Sequence, residues 1–355
     1  AIVCQVNNIL RKQGVESLQK TFSSCSSDER YSEKKWMDVV VEHTKVDAYY
    51  IYPGWEEIFR LTPELIWYHD EPYQSQSALL GYNVFKLAKS KGVTVLLNGQ
   101  GADEYLGGYG QFTNARIINM FRQLDWMNLI REISNSGTIT KYSYPFVIRT
   151  ILSSMIPGPL KNFLLDNLSA KRVIKNTIDI KRLGAEDRSP NKVIPFDFNT
   201  VQNISKHVTF YSTLPKYLKW EDRNSMANSV EARVPFLDYR LFEFSLGLPD
   251  NYLDFQGETK RVLRSGLKNI LPEKIKNRPD KKGFLTPEER WVKEDNPKLF
   301  RDKIEDAIHI TDRIIKPEAL KYYDKLSAGT IPFDYTYWHL ILFSEWIKRF
   351  NVKLT

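Results

Sequence analysis

Cysteine is nearly absent: Cys4 and Cys25 are the two in 355 residues, and they form no CxxC pair. That excludes a disulfide framework and a structural zinc site built on paired cysteines, and it suits the reducing cytoplasm. The five histidines are scattered without metal-ligand spacing. No run of about 18 apolar residues occurs. The greasiest window, FVIRTILSSMIPGPLKNFLL from Phe146, is interrupted by Arg149, two prolines and Lys161, so no membrane partner is expected. Internal repeats and low-complexity tracts are missing, and the first residues lack the basic leader and small-residue cleavage site of a signal peptide.

What is present belongs to a folded chain. Hydrophobic residues make up 42% and charged residues 26%, with 8 Trp, 19 Tyr and 19 Phe, a content that argues against disorder. The length permits two domains or one enlarged α/β domain. The formal charge of +8 is uneven: residues 1–110 carry 11 basic and 14 acidic side chains, net −3, and the remainder carries net +11. Basic and acidic residues are interleaved rather than clustered, which favours a solvated surface or a phosphate site over a nucleic-acid face.

The most informative stretch is VTVLLNGQGADEYLGGY, residues 93–109. Val93, Val95, Leu96 and Leu97 suit a parallel strand covered on both faces, ending in a ligand-binding turn. Gly99 and Gly101 allow backbone N–H groups to approach an anion closely, and Asp103 and Glu104 follow at the carboxyl edge of the sheet. The turn is not a dinucleotide fingerprint, because Glu104 takes the place of the third glycine in GxGxxG. A glycine-rich strand-to-helix turn with no ligand is the plain structural alternative.

Around it, helices and short apolar strands alternate. Ile2, Val3, Val6, Ile9 and Leu10 have helical spacing up to Gly14, a C-terminal cap signal. Strands are expected around 18–24, 48–52 and 93–97, and helices over about 29–43, 55–68 and 77–90, which implies a doubly wound parallel sheet. Residues 1–111 read as an α/β core, 112–211 as a helical insertion broken by Gly137 and several prolines, and 212–355 as a helical C-terminal part. Ile117, Ile118, Phe121 and Leu124 are expected in the insertion's core. Later, Glu231, Arg233 and Asp238 read as buried structural ion pairs. Asp222 stays open between structure and chemistry. Lys281 and Lys282 precede Gly283 on a loop, where a lysine can fold over a phosphate as a point charge.

Taken in order, GQGADEYLGGY, DRNSMANSVEARVPFLD and LPEKIKNRPDKKGF resemble successive signatures of the synthetase domain of glutamine-dependent asparagine synthetases and their relatives, which include amide-forming enzymes of polysaccharide and peptide pathways and β-lactam-forming synthetases. The resemblance implies an ATP-pyrophosphatase α/β fold. It also implies an N-terminal glutaminase that releases ammonia from glutamine by means of a cysteine nucleophile at its first residue, which neither Cys4 nor Cys25 can be. In that family a phosphate loop of the type SGGxDS precedes a helix like AIVCQVN, so the chain is expected to start just after that loop and to be inactive by itself. Family members are often dimers.

The chemistry implied is adenylation of a carboxylate by ATP, with L-aspartate as the default substrate, followed by displacement of AMP by ammonia. By the same resemblance Asp103 is the magnesium-binding aspartate, Asn98, Gly99 and Gly101 form the nucleotide loop, and Ser24 marks the backbone contact to adenine. Lys281 would steady charge as pyrophosphate leaves, with Lys282 as the neighbouring alternative. Gln100 stands where typical asparagine synthetases have Glu. β-lactam-forming relatives have Tyr there, with a carboxylate that aligns with Asp222. Gln can hydrogen-bond an ammonium but cannot act as a base, so another carboxylate, on a sugar acid or a peptide, is the second substrate reading. A scaffold that keeps the fold without catalysis is the alternative from another class.

Overall fold

The computed structural model describes residues 1–15, 19–134, 144–156, 160, 176–184, 200–278, 283 and 286–354. Helix α1 (Ile2–Lys12) stops where Gly14 takes a φ of +67°, the left-handed end that its glycine predicts. Strand β1 (Lys20–Ser24), helix α2 (Lys34–Thr44) and strand β2 (Asp47–Ile51) follow, and β1 pairs with β2 in parallel, Lys20 opposite Asp47 and Ser24 opposite Ile51. Helices α3 (Trp55–His69) and α4 (Ser77–Ser90) lead to β3 (Val95–Leu97).

Helix α3 shows why these elements form. Gly54 caps it in an extended conformation, Glu56 and Glu57 sit in its first turn, and Ile58, Leu61, Leu65 and Ile66 recur on one buried face. That face packs into the main core with Trp338, Ile341 and Leu342 from the C-terminal helix, Ile304 and Ala307, Tyr323 and Leu326, and Trp220. The helical C-terminal part therefore braces the α/β part from behind.

The expected doubly wound sheet is not present among the described residues. β3 pairs in parallel with β4 (Glu231–Arg233), which gives a second two-stranded sheet separate from β1–β2. A cavity of about 1050 Å³ lies between them, lined by every residue of β1 and of β3. Neighbouring strands must approach to within about 4.8 Å to share hydrogen bonds, and the cavity keeps these two edges apart. For the same reason β3 is not the covered strand its apolar run suggests: Val95 and Leu97 are 40% and 41% exposed.

Helix α5 (Ala102–Tyr105) still belongs to the α/β part, and across the insertion α6 (Gly110–Arg122), α7 (Trp126–Ser134), α8 (Tyr144–Met155) and α9 (Val201–Phe210) are helical. Ile117 is buried as expected, but Leu124 lies past the end of α6 with a positive φ and is exposed. Buried Arg116 on α6 pairs with Glu132 on α7 at 3.3 Å and donates to the Asp254 carbonyl. Glu132 also accepts the Gln256 N–H at 2.7 Å. This network clamps the β5–β6 hairpin (Asp254–Phe255 with Glu258–Thr259). Helix α10 (Thr213–Ala227) packs against α9, α4 and α3. Among the described residues no helix is long and apolar enough to cross a membrane.

One buried acid in the C-terminal core generates a stability prediction. Glu288 is 4% exposed and accepts hydroxyl hydrogen bonds from Thr286 at 2.7 Å and Tyr337 at 3.1 Å. Burial pushes its carboxyl from the ordinary 4.5 up to about 7. The folded state thus holds the proton at higher pH than the unfolded chain, and this contribution to stability is full below 4.5 and lost as the pH rises through about 7. Glu288→Gln should unfold later than the parent at pH 8, by roughly 3 kcal/mol on the scale of 1.36 kcal/mol per pKa unit, and lose that advantage near pH 4. Thermal melts across that range check it.

Candidate functional site

The cavity between the two sheets takes in Ser24 and the turn after β3, at the carboxyl ends of strands, where parallel α/β arrangements place ligands. Strand β3 runs into the turn Asn98–Gly101. The Asn98 N–H donates to the Arg233 carbonyl of β4 at 2.9 Å, and Asn98 Oδ1 accepts the Gln100 N–H at 3.0 Å. Gly101, with a φ of +97°, begins α5, and a Cβ there would run into the Leu237 side chain. From α5 the Tyr105 hydroxyl donates to the Phe236 carbonyl at 2.6 Å. The first two sequence motifs are therefore one packed unit: GQGADEY is held by EARVPFL through backbone pairing on one side and a hydroxyl on the other.

This unit sets Asp103. Its side chain rests on the backbone of Gly108, whose N–H donates to the Asp103 carbonyl at 3.0 Å, and a Cβ at Gly108 would collide with the carboxylate. The Asp103 Oδ1 meets the Lys260 Nζ at 2.7 Å, and both side chains are largely shielded from water. Lys260 follows the β5–β6 hairpin in a left-handed conformation, φ +53°, so the buried network of the insertion carries this lysine to the site. Next to Asp103, Glu104 is 1% exposed and accepts the Tyr109 hydroxyl at 2.6 Å, and burial followed by that bond raises the Tyr109 phenol.

Ser24, Asn98, Gly99, Gln100 and Asp103 line this one cavity. Ser24 is buried at the end of β1, and its Oγ has no hydrogen-bond partner among the described residues. Such an orphaned polar atom at a cavity wall suits a polar ligand. Gly99 leaves open space where a Cβ would stand. Lys281 and Lys282 lie outside the described residues, while Gly283 lines the same cavity as Asp103. Arg278, from the third motif, pairs with Glu33 and lies over the Trp36 ring at 5.2 Å, which docks the start of this segment beside α2.

Two expectations fail. Asp222 is exposed and does not line the cavity. The helix turns about 100° per residue, and it is the preceding residue, Glu221, that faces inward with Tyr217 one turn earlier. The signal was available: position 221 falls on the stripe of Leu214, Tyr217, Asn224 and Ser225, of which Leu214, Asn224 and Ser225 are buried. Glu231 and Arg233 pair at 2.7 Å and Asp238 pairs with Arg240 at 2.6 Å, but Glu231, Arg233 and Arg240 are exposed and Asp238 is half-buried rather than buried. Asp238 in fact caps a helix, accepting the Arg240 N–H at 3.0 Å. Burial pushes the Glu221 carboxyl up to about 7, against a hydrogen bond from Gln100 that lowers it.

No group of three or more metal-ligating side chains occurs among the described residues. A magnesium ion that shares phosphate oxygens and keeps several waters needs one or two protein carboxylates. Asp103, at the rim of a cavity large enough for a nucleotide, fits that requirement, with Lys260 as its competitor.

Parallel strand pairs flanked by helices, with a large cavity between them, define the class as an α/β protein. The sequence profile described as asparagine synthase matches residues 4–348, and the chain belongs to that family. It is similar to the glutamine-hydrolysing asparagine synthetase 1 of Bacillus subtilis, 28% identical over 82% of this chain and 46% of that protein. Asparagine synthetase 2 of the same organism is 27% identical over 64% of this chain and 27% of its own length. The amidase chry2 of Gibberella zeae is 21% identical over 69% and 40%. The chain thus spans about half, or less, of the length of these relatives. The family implies an ATP-pyrophosphatase fold, which the two small parallel sheets represent only in part.

The Gly108 contact gives a direct test of the turn's packing. Gly108→Ala should lower stability by about 1 to 3 kcal/mol, the usual cost of forcing a methyl into filled space. Gly110→Ala, whose Cβ meets nothing within 4 Å, should leave the melting temperature close to the parent's.

Proposed function

We propose that this chain is the synthetase part of an ATP-dependent amide-forming enzyme. A carboxylate attacks the α-phosphate of ATP, pyrophosphate leaves, and ammonia then displaces AMP from the acyl adenylate. The observation that carries this reading is the convergence of Ser24, the Asn98–Gln100 turn and Asp103 on one cavity in a chain of the asparagine synthase family.

The difficulty of the first step is charge, since one anion must attack another. The Gly99 and Gly101 N–H groups would meet the anion, the Gln100 N–H being held by Asn98 Oδ1, and Ser24 and Asn98 would hold the nucleoside end. Asp103 would hold magnesium, which when bound neutralises phosphate charge. Lys260 and, by the family resemblance, Lys281 add positive charge beside the phosphates. L-aspartate is the default acceptor, and glutamine hydrolysed elsewhere in the full-length protein supplies the ammonia.

A second reading, amidation of a sugar-acid or peptide carboxylate, has a specific observation behind it. Gln100 in place of a carboxylate faces the cavity next to Glu221, so the acceptor pocket differs chemically from one built around a loop glutamate. Pyrophosphate release by the full-length protein, screened over aspartate, uronic acids and a peptide carboxylate, separates the two readings. Asp103→Asn should cut that release by roughly a hundredfold or more, the usual cost of losing one group that stabilises transition-state charge, with the far-ultraviolet circular dichroism unchanged. Release independent of every carboxylate, or unaffected by Asp103→Asn, would contradict the proposal.

A further inference from the structure

We propose that Arg264 is a positioning residue that aims the Lys260 ammonium at the Asp103 carboxylate. Lys260 is not a glycine, yet it takes a φ of +53°, a left-handed conformation that crowds the Cβ against the following carbonyl oxygen and persists only where the surroundings fix it. Arg264 does the fixing. Its Nε donates to the Thr259 carbonyl at 2.8 Å, and its backbone N–H donates to the Lys260 carbonyl at 3.0 Å. The peptide groups on both sides of the Lys260 Cα are therefore held by one residue, and the orientations of those two planes set φ and ψ.

The rest of the guanidinium ties these peptides to the walls of the site. Arg264 Nη1 donates to the Arg278 carbonyl at 3.0 Å and also to the Lys276 carbonyl. Arg278 is the residue that pairs with Glu33 and lies over Trp36, and Glu33 lines the cavity. Arg264 stands on a short helix (Arg261–Gly266) whose Val262 and Leu263 pack against Ala102, Tyr105 and Leu106, the residues on either side of Asp103. The platform of the arginine and the carboxylate it serves thus belong to one packed unit. Its side-chain donors go to three main-chain carbonyls rather than to a carboxylate. A planar fork with five donors can span that set, whereas the single nitrogen of a lysine cannot.

Held in this way, Lys260 reaches Asp103 Oδ1 at 2.7 Å, and its side chain is 26% exposed. That this ammonium serves catalysis, as positive charge beside the phosphates, rests on the adenylation reading above; that Arg264 places it rests on the contacts alone. A residue that acts through another loses its effect once the other is removed, because the two share one interaction and their substitutions do not add. A general contribution to folding would add in full.

Two measurements on the full-length protein test this. The first is the rate at which an amine-acylating reagent labels Lys260, read by peptide mass spectrometry against Lys293, which is similarly shielded at 23% and paired with Glu289. Arg264→Gln and the milder Arg264→Lys, which keeps the charge, should both speed labelling of Lys260 and leave Lys293 unchanged. The second is carboxylate-dependent exchange of labelled pyrophosphate into ATP. Arg264→Gln should slow it roughly a hundredfold, the cost of about 1 Å of misplacement, but by less than about twofold in a Lys260→Met background. Arg264→Lys should show the same pattern with a smaller loss, which keeps the test open if the Gln variant does not fold. Labelling of Lys260 that stays at the parent rate, labelling of both lysines that rises together, or a loss of exchange that repeats in full in the Lys260→Met background would overturn the proposal. Absence of exchange in the parent protein would instead overturn the adenylation reading, and the labelling comparison would still decide whether Arg264 places Lys260.

Discussion

The turn after β3 must be held from both sides, and most of the site inherits its position from that constraint. On one side the Arg233 carbonyl fixes the Asn98 N–H, and on the other the Phe236 carbonyl takes the Tyr105 hydroxyl. Residues about 130 apart in the chain are thus joined around four residues of loop. Gly101 is the hinge of that arrangement, because its backbone conformation and the Leu237 side chain leave no room for a Cβ. Helix α10 leads directly into β4, so fixing β4 against β3 also fixes Glu221 beside Gln100 at the cavity.

The electrostatics follow from which acids this packing neutralises. Lys260 compensates Asp103, and Tyr109 covers Glu104. Only burial and one amide act on Glu221. Three carboxylates near one cavity therefore have three different environments. The insertion contributes at a distance: the Arg116–Glu132 pair and the Gln256 N–H hold the hairpin that delivers Lys260.

Much of this was legible in sequence because the signals are local. The Gly14 stop, the 55–68 and 77–90 helices and the strand ending at Asn98 rest on capping, periodicity and turn chemistry, and the structure agrees to within a few residues. The turn from Asn98 to Gly101 was legible because glycine spacing has a steric cause: a Cβ at Gly101 would run into Leu237. What failed depends on tertiary context. Whether β3 is covered depends on which strand edges meet, and here β1 and β3 face a cavity instead of each other. The sequence leaves Asp222 open, and it is Glu221, one residue earlier on the helix, that lines the cavity, because one residue of register changes the face. Lys260 carried no sequence signal, since its role comes from a hairpin placed by a buried ion pair far along the chain.

The central claim is that nucleotide binds in the cavity bounded by β1, β3 and α10. Amide hydrogen exchange of the full-length protein, with and without a non-hydrolysable ATP analogue and magnesium, tests it most directly. The account predicts slowed exchange at the end of β1 around Ser24, through Asn98 to Asp103, and along the α10 face that bears Tyr217 and Glu221. Saturating analogue that left these three segments unchanged while protecting another part of the chain would contradict it.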